Sequence, residues 1–129
     1  AKSLKEVAYH ARRSADVVVR LGDGTQESHQ RMQQAMDDIW PYAGELFVDD
    51  AVTLRLAEAG IVPEMAGLLP DWRAHVRDVL NEATLTMPDM DLANRPAHRG
   101  GIEGRHTEAL GYILAEMQFL QRAYPGAQW

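Results

Sequence analysis

Glu103 stands three residues before His106, and Glu108 and Glu116 follow in the stretch "IEGRHTEALGYILAEMQF". A Glu-x-x-His pair sets a carboxylate and an imidazole on one helix face about one turn apart. Helical bundles hold two irons this way when a second such pair and two lone glutamates complete the set. The sequence has five histidines, at 10, 29, 75, 98 and 106, and only His106 has a glutamate at that spacing. Gly100, Gly101 and Gly104 surround Glu103, so the pair straddles a loop and a helix start. Within the helix, His106 and Glu108 face nearly opposite ways, and Glu108 and Glu116 stand about 12 Å apart along the axis. Neither couple can share an ion. Glu6 and His10, four apart, suit a surface hydrogen bond or one side of a divalent site, but no second pair on another helix completes it. The spacings therefore assign no catalytic, cofactor-binding or metal-ligating residue. A di-metal carboxylate enzyme in its own right, drawing ligands from Glu6, His10, Glu103 and His106, stays open as the alternative.

Other chemistries are narrowed by composition. The chain has no cysteine, which removes disulfides, thiolate metal sites and cysteine nucleophiles and is compatible with a reducing cytoplasm. Its 13 basic and 19 acidic residues give a net charge of −6, with the basic residues scattered, so nucleic acid is a disfavoured partner. No apolar run approaches a membrane span, and the N-terminus lacks a signal-peptide core. A cytoplasmic protein is expected. "GDGT", at 22–25, resembles a phosphate loop only in its glycines, and no strand precedes it. It reads as a helix-helix turn.

The elements that would position these residues are helical. Ser3 and Glu6 form a capping-box pattern, and Leu4, Val7, Ala8, Ala11, Ala15, Val18 and Val19 recur at helical spacing, predicting a helix over 4–21. Gly22 is expected as a left-handed cap and Thr25 as the N-cap of the next helix, so the first two helices lie antiparallel. Met32, Ala35, Met36, Ile39, Trp40, Ala43 and Phe47 carry a second stripe through Pro41, which predicts a kink rather than a stop. Asp50 caps a short helix to Ala59, closed by Gly60, and Pro70 opens another marked by Trp72, Val76, Val79, Leu80 and Ala83. Residues 84–104 read as a long loop, and a last helix is expected over 106–123 with Leu110, Ile113, Leu114, Met117 and Leu120 on one face. The class is all-α, with residues 1–129 as a single helical domain. Trp40, Tyr42, Phe47, Trp72 and the tail residue Trp129 are interface candidates, with core packing the competing reading for Trp40 and Trp72.

"LKEVAYHARRSADVVVRLGDGTQESHQRMQQAMDDIWPYAGELF" and "HTEALGYILAEMQFLQRAYPG" together resemble the PaaC family, the C subunits of the bacterial phenylacetyl-CoA ring epoxidase. Residues 48–104 match more loosely, and the resemblance corresponds to the C-terminal half of such a protein. It implies a ferritin-like helical bundle, partial at about half of the full length, in a multicomponent oxygenase of aerobic phenylacetate catabolism. The resemblance also implies that the iron belongs to the catalytic A subunit of the complex. The PaaC-type protein is then a non-catalytic, metal-free partner that packs against that subunit, supports assembly, and joins the other components. Without the other helices the long N-terminal pair would leave apolar stripes exposed, so a homo-oligomer is expected for the fragment.

Overall fold

The structure is a computed structural model that describes residues 2–89 and 100–128. Every regular element among these residues is a helix or a short 3-10 turn. The chain divides into two compact units, Ala1–His98 and Arg99–Trp129.

In the first unit, α1 spans Lys2–Gly22. It begins before the expected capping box: Ser3 already has helical backbone, whereas an N-cap needs an extended one, so Ser3 and Glu6 are first-turn residues rather than a cap. Only the C-terminal half of α1 finds cover. Val18 and Val19 pack against the core, while Leu4 and Val7 remain 72% and 61% exposed.

Three residues connect α1 to α2, Gln26–Ala43, which returns along it. Thr25 caps α2 as its position predicts: the backbone is extended and the hydroxyl oxygen accepts from the Ser28 N–H at 3.2 Å. Gly22 is not the expected left-handed cap. Its backbone stays outside the positive-φ region, and it is required for another reason. A Cβ there would lie 2.5 Å from the Ala83 carbonyl oxygen and 2.8 Å from the Ala83 Cβ, so only glycine lets the end of α1 meet the turn after α4.

Pro41 lies inside α2, and two residues later the α-helix gives way to a 3-10 turn, Gly44–Phe47. The apolar period that reached Phe47 is thus carried by two helix types in succession. Next comes α3, Ala51–Glu58, whose cap is reciprocal: the Asp50 carboxylate accepts from the Val52 and Thr53 N–H groups, and the Asp50 N–H donates to the Thr53 hydroxyl. The Thr53 backbone and hydroxyl bonds, with help from Val52 and Arg55, hold the Asp50 carboxyl below the usual aspartate range. A lowered folded-state pKa means this stabilisation is present above the ordinary aspartate range and is lost as pH falls through the folded value. On acid titration the Val52 and Thr53 amide resonances should move together in that window. In Asp50→Asn they should not move.

Two helices end alike with unlike residues. After α3, the Gly60 N–H bonds the Ala57 carbonyl and the Ile61 N–H bonds that of Leu56, with Gly60 at φ +69°. After α4, Leu69–Glu82, the Thr84 N–H bonds the Asn81 carbonyl and the Leu85 N–H bonds that of Leu80. Both are Schellman closures, and in the second a threonine takes the left-handed position at φ 58°. A β-branched residue is disfavoured there. What it achieves is to fold Leu85 back onto Leu80, where with Ala83 they form a buried cluster against Val18, Val19 and Met32. Gln33 secures the same segment: its side-chain oxygen accepts from the Thr86 N–H at 2.9 Å and its amide donates to the Thr86 carbonyl at 3.0 Å.

In the second unit the expected single helix over 106–123 is replaced by two, α5 at Glu108–Met117 and α6 at Phe119–Ala123. Thr107 is extended and holds the N-cap position, leaving His106 outside the helix, and Gln118 at φ −102°, ψ 6° interrupts the ladder. Leu110 and Leu114 are half-buried, whereas Ile113, Met117 and Leu120 are exposed. Of the long loop expected over 84–104, residues 90–99 fall outside the described residues, and 101–104 form a turn.

Candidate functional site

An apolar groove of about 620 Å³ lies between α1, α2 and α4 in the first unit. Its shape follows from side-chain size. Ala11, Ser14 and Ala15 make the α1 wall low, while Ile39 and Trp40 of α2 and Trp72, Val76 and Val79 of α4 make the opposite walls high. None of its lining residues is Asp, Glu, Lys or Arg, and the side chains with polar atoms are those of Ser14, Tyr42, His75 and the two indoles, Trp40 and Trp72. The apolar, uncharged lining gives this groove the means to bind an apolar surface.

An aromatic stack forms its floor. Trp40 is 2% exposed and packs on Leu69, its ring centroid is 5.5 Å from that of Trp72, and Trp72 in turn lies 5.1 Å from Phe47. The indole N–H of Trp40 is buried and has no hydrogen-bond partner among the described residues. Of the interface candidates, then, Trp40 belongs to the core, Trp72 and Phe47 are half-buried beside it, and Tyr42 is exposed on the rim of the groove. Trp129 lies outside the described residues.

The residues considered for metal chemistry are not gathered into ligand sets. Among the described residues no three His, Asp or Glu side chains come together as metal ligands. Glu6 and His10 are exposed on α1, with the His10 ring edge-on to Tyr9 at 5.6 Å. In the second unit Glu103 is engaged by the Arg105 guanidinium in an ion pair that also raises the arginine's pKa. Glu108 accepts from the Tyr112 hydroxyl at 2.9 Å. His98 lies outside the described residues.

Two sets of positioning residues escaped the sequence patterns. His29 Nδ1 lies 2.8 Å from the Gly22 carbonyl; a carbonyl only accepts, so that nitrogen carries the proton. The Thr84 hydroxyl is 3.4 Å from both partners, and the three residues tie the end of α1, the start of α2 and the turn after α4 into one junction. Nothing in their spacing announces this, because the partners come from three separate elements. Asp49 accepts from the Met65 and Ala66 N–H groups at 2.9 and 3.3 Å, capping from a distance the 3-10 turn Met65–Leu68 that leads into α4. Its place beside the evident cap Asp50 was the only local sign.

Over residues 1–129 the sequence matches the family model described as phenylacetic acid catabolic protein. The chain belongs to that family. It is 46% identical over 130 residues to the C subunit of the 1,2-phenylacetyl-CoA epoxidase of Escherichia coli (strain K12), an alignment covering 100% of this chain and 50% of that relative. The chain therefore spans about half the length of the curated relative it matches. The family is ferritin-like, in keeping with the all-helical structure. Among the described residues no helix is long and apolar enough to cross a membrane.

Proposed function

We propose that the chain is a non-catalytic structural component of a multicomponent phenylacetyl-CoA epoxidase in the cytoplasm, where it packs on the di-iron catalytic partner and supports its assembly. The observation that carries this reading is the 46% identity to the C subunit of such an epoxidase, sustained over the whole chain. The apolar, uncharged lining of the groove is in keeping with a packing role. A second copy of the chain is a further partner in this reading.

Co-expression with a tagged copy of the catalytic partner tests it. The chain should co-elute with the tagged protein, and iron should be near stoichiometric in the complex but only at trace level in the isolated chain. Failure to co-elute would remove the structural role, and stoichiometric iron in the isolated chain would remove its non-catalytic character. Tyr42→Ala is the suitable contact variant, because Tyr42 is 47% exposed whereas truncating the buried Trp40 would damage the core.

A further inference from the structure

We infer that the Asp23–Gly24 bond, in the connection between α1 and α2, is a site of self-modification at which the aspartate isomerises to isoaspartate through a cyclic imide. The chemistry asks three things of a folded chain: a small residue after the aspartate, a backbone amide nitrogen free to attack, and a carboxyl group held by nothing else. Aspartate precedes glycine once in the sequence, in the "GDGT" stretch at 22–25. The structure meets the other two conditions. The Asp23 N–H bonds back into α1, on the Val19 carbonyl at 2.9 Å, and the Thr25 carbonyl accepts from the His29 N–H of α2, also at 2.9 Å. Between them the peptide unit is untethered: among the described residues neither the Asp23 carbonyl nor the Gly24 N–H makes a hydrogen bond. Such an exposed unit turns about its two soft dihedrals at little cost, which is what bringing the amide nitrogen to Asp23 Cγ requires. The Asp23 carboxylate is exposed and has no hydrogen bond or ion pair among the described residues, unlike those of Asp49 and Asp50, which backbone N–H groups occupy. Nor is the glycine replaceable. A Cβ at Gly24 would lie 2.8 Å from the Arg20 carbonyl oxygen and 2.7 Å from Ser28 Oγ, which donates to the Thr25 carbonyl at 3.0 Å. The tight turn thus demands the one neighbour that leaves the aspartate open to attack.

The reaction balances without a co-reactant. The Gly24 nitrogen bonds to Asp23 Cγ and gives up its proton, and a carboxyl oxygen leaves as water, carrying that proton and one from solvent. Water then adds to either imide carbonyl and breaks its bond to nitrogen. Opening at Cγ restores aspartate. Opening at the backbone carbonyl carbon releases an α-carboxylate and a proton, and the main chain then runs through Cγ. This product has the composition of the original chain with one more methylene in its main chain. That methylene enters a three-residue connection whose ends are fixed, Gly22 against Ala83 and His29 Nδ1 on the Gly22 carbonyl at 2.8 Å. The junction must loosen to admit it.

Ageing of the intact chain at neutral pH tests the inference, read by peptide mapping with mass spectrometry and by isoaspartyl-specific carboxyl methylation. Isoaspartate is expected at position 23 ahead of every other aspartate, within about tenfold of the rate in a free peptide of residues 20–28, with a transient species lighter by one water. Asp23→Glu keeps the charge but would need a six-membered ring, and should abolish the signal. Asp23→Asn should reach the same imide sooner, by loss of ammonia. The converted chain, separated by ion exchange, should melt below the unconverted one. No conversion at 23 over a period in which the free peptide converts, or conversion undiminished in Asp23→Glu, would overturn the inference. A converted chain that melts with the unconverted one would overturn its link to the junction. None of these results bears on capture by the catalytic partner.

Discussion

Trp40→Ala should destabilise the first unit by about 3–5 kcal/mol, the range seen when a large aromatic is cut from a packed core. Trp40 is 2% exposed, rests on Leu69, and carries the stack that continues through Trp72 to Phe47. Among the described residues of this unit the fully buried large apolar groups are few: Trp40, Leu69, Leu80 and Leu85, with Ala83 beside them. Since whole-domain stabilities run at about 5–15 kcal/mol, a single loss of this size removes much of the total. Trp40→Phe should cost far less. It keeps an aromatic ring on Leu69 and removes an indole N–H that is buried without a partner, a liability of about 1–3 kcal/mol. Urea unfolding monitored by circular dichroism would check the order. A phenylalanine variant as unstable as the alanine variant would show that the indole N–H does have a partner.

Gly22→Ala should also destabilise, by about 2–3 kcal/mol, and here the sign is the test. Glycine in a helix is ordinarily worse than alanine by about 0.5–1 kcal/mol, so intrinsic propensity predicts a gain from the substitution. The packing predicts the reverse. The new methyl would meet the Ala83 carbonyl oxygen at 2.5 Å and the Ala83 Cβ at 2.8 Å, and neither is the end of a flexible side chain. Relief requires moving the end of α1 away from the Schellman turn, which would loosen Leu80 and Leu85 against Val18 and Val19. Thermal unfolding of Gly22→Ala beside wild type decides between the two signs, and a raised melting temperature would contradict the close approach.

What the sequence disclosed depended on how local each determinant is. Thr25, Asp50 and Gly60 could be read directly, because a cap or a left-handed closure is decided within four or five residues. Gly22 was legible as a necessary glycine but not for the right reason: its neighbour Ala83 comes from a distant part of the chain. The end of α4 lacked the usual glycine signal because Thr84 adopts the conformation against its own preference, held by a hydrophobic contact between Leu80 and Leu85. Aromatic spacing marked Trp40, Phe47 and Trp72 as important but could not divide core from surface. That division depends on which face α4 turns toward α2. For the metal reading, helical geometry within "IEGRHTEALGYILAEMQF" was enough to separate the groups, and the ion pair of Glu103 with Arg105 came only with the structure.

The junction of Gly22, His29 and Thr84 fixes α1 at one end only. Its last turns, from Val18 onward, share a core with α2 and α4, while its first turns carry exposed Leu4 and Val7. Helical segments of so few residues, without tertiary support, are marginal in water. The helix is therefore continuous in shape but graded in free energy. Amides near the start of α1 should exchange their hydrogens through local fraying, and those near Val19 only when the whole unit opens. One covalent helix thus spans two regimes of opening, with the boundary near Ala11, where the side chains pass from solvent into the wall of the groove.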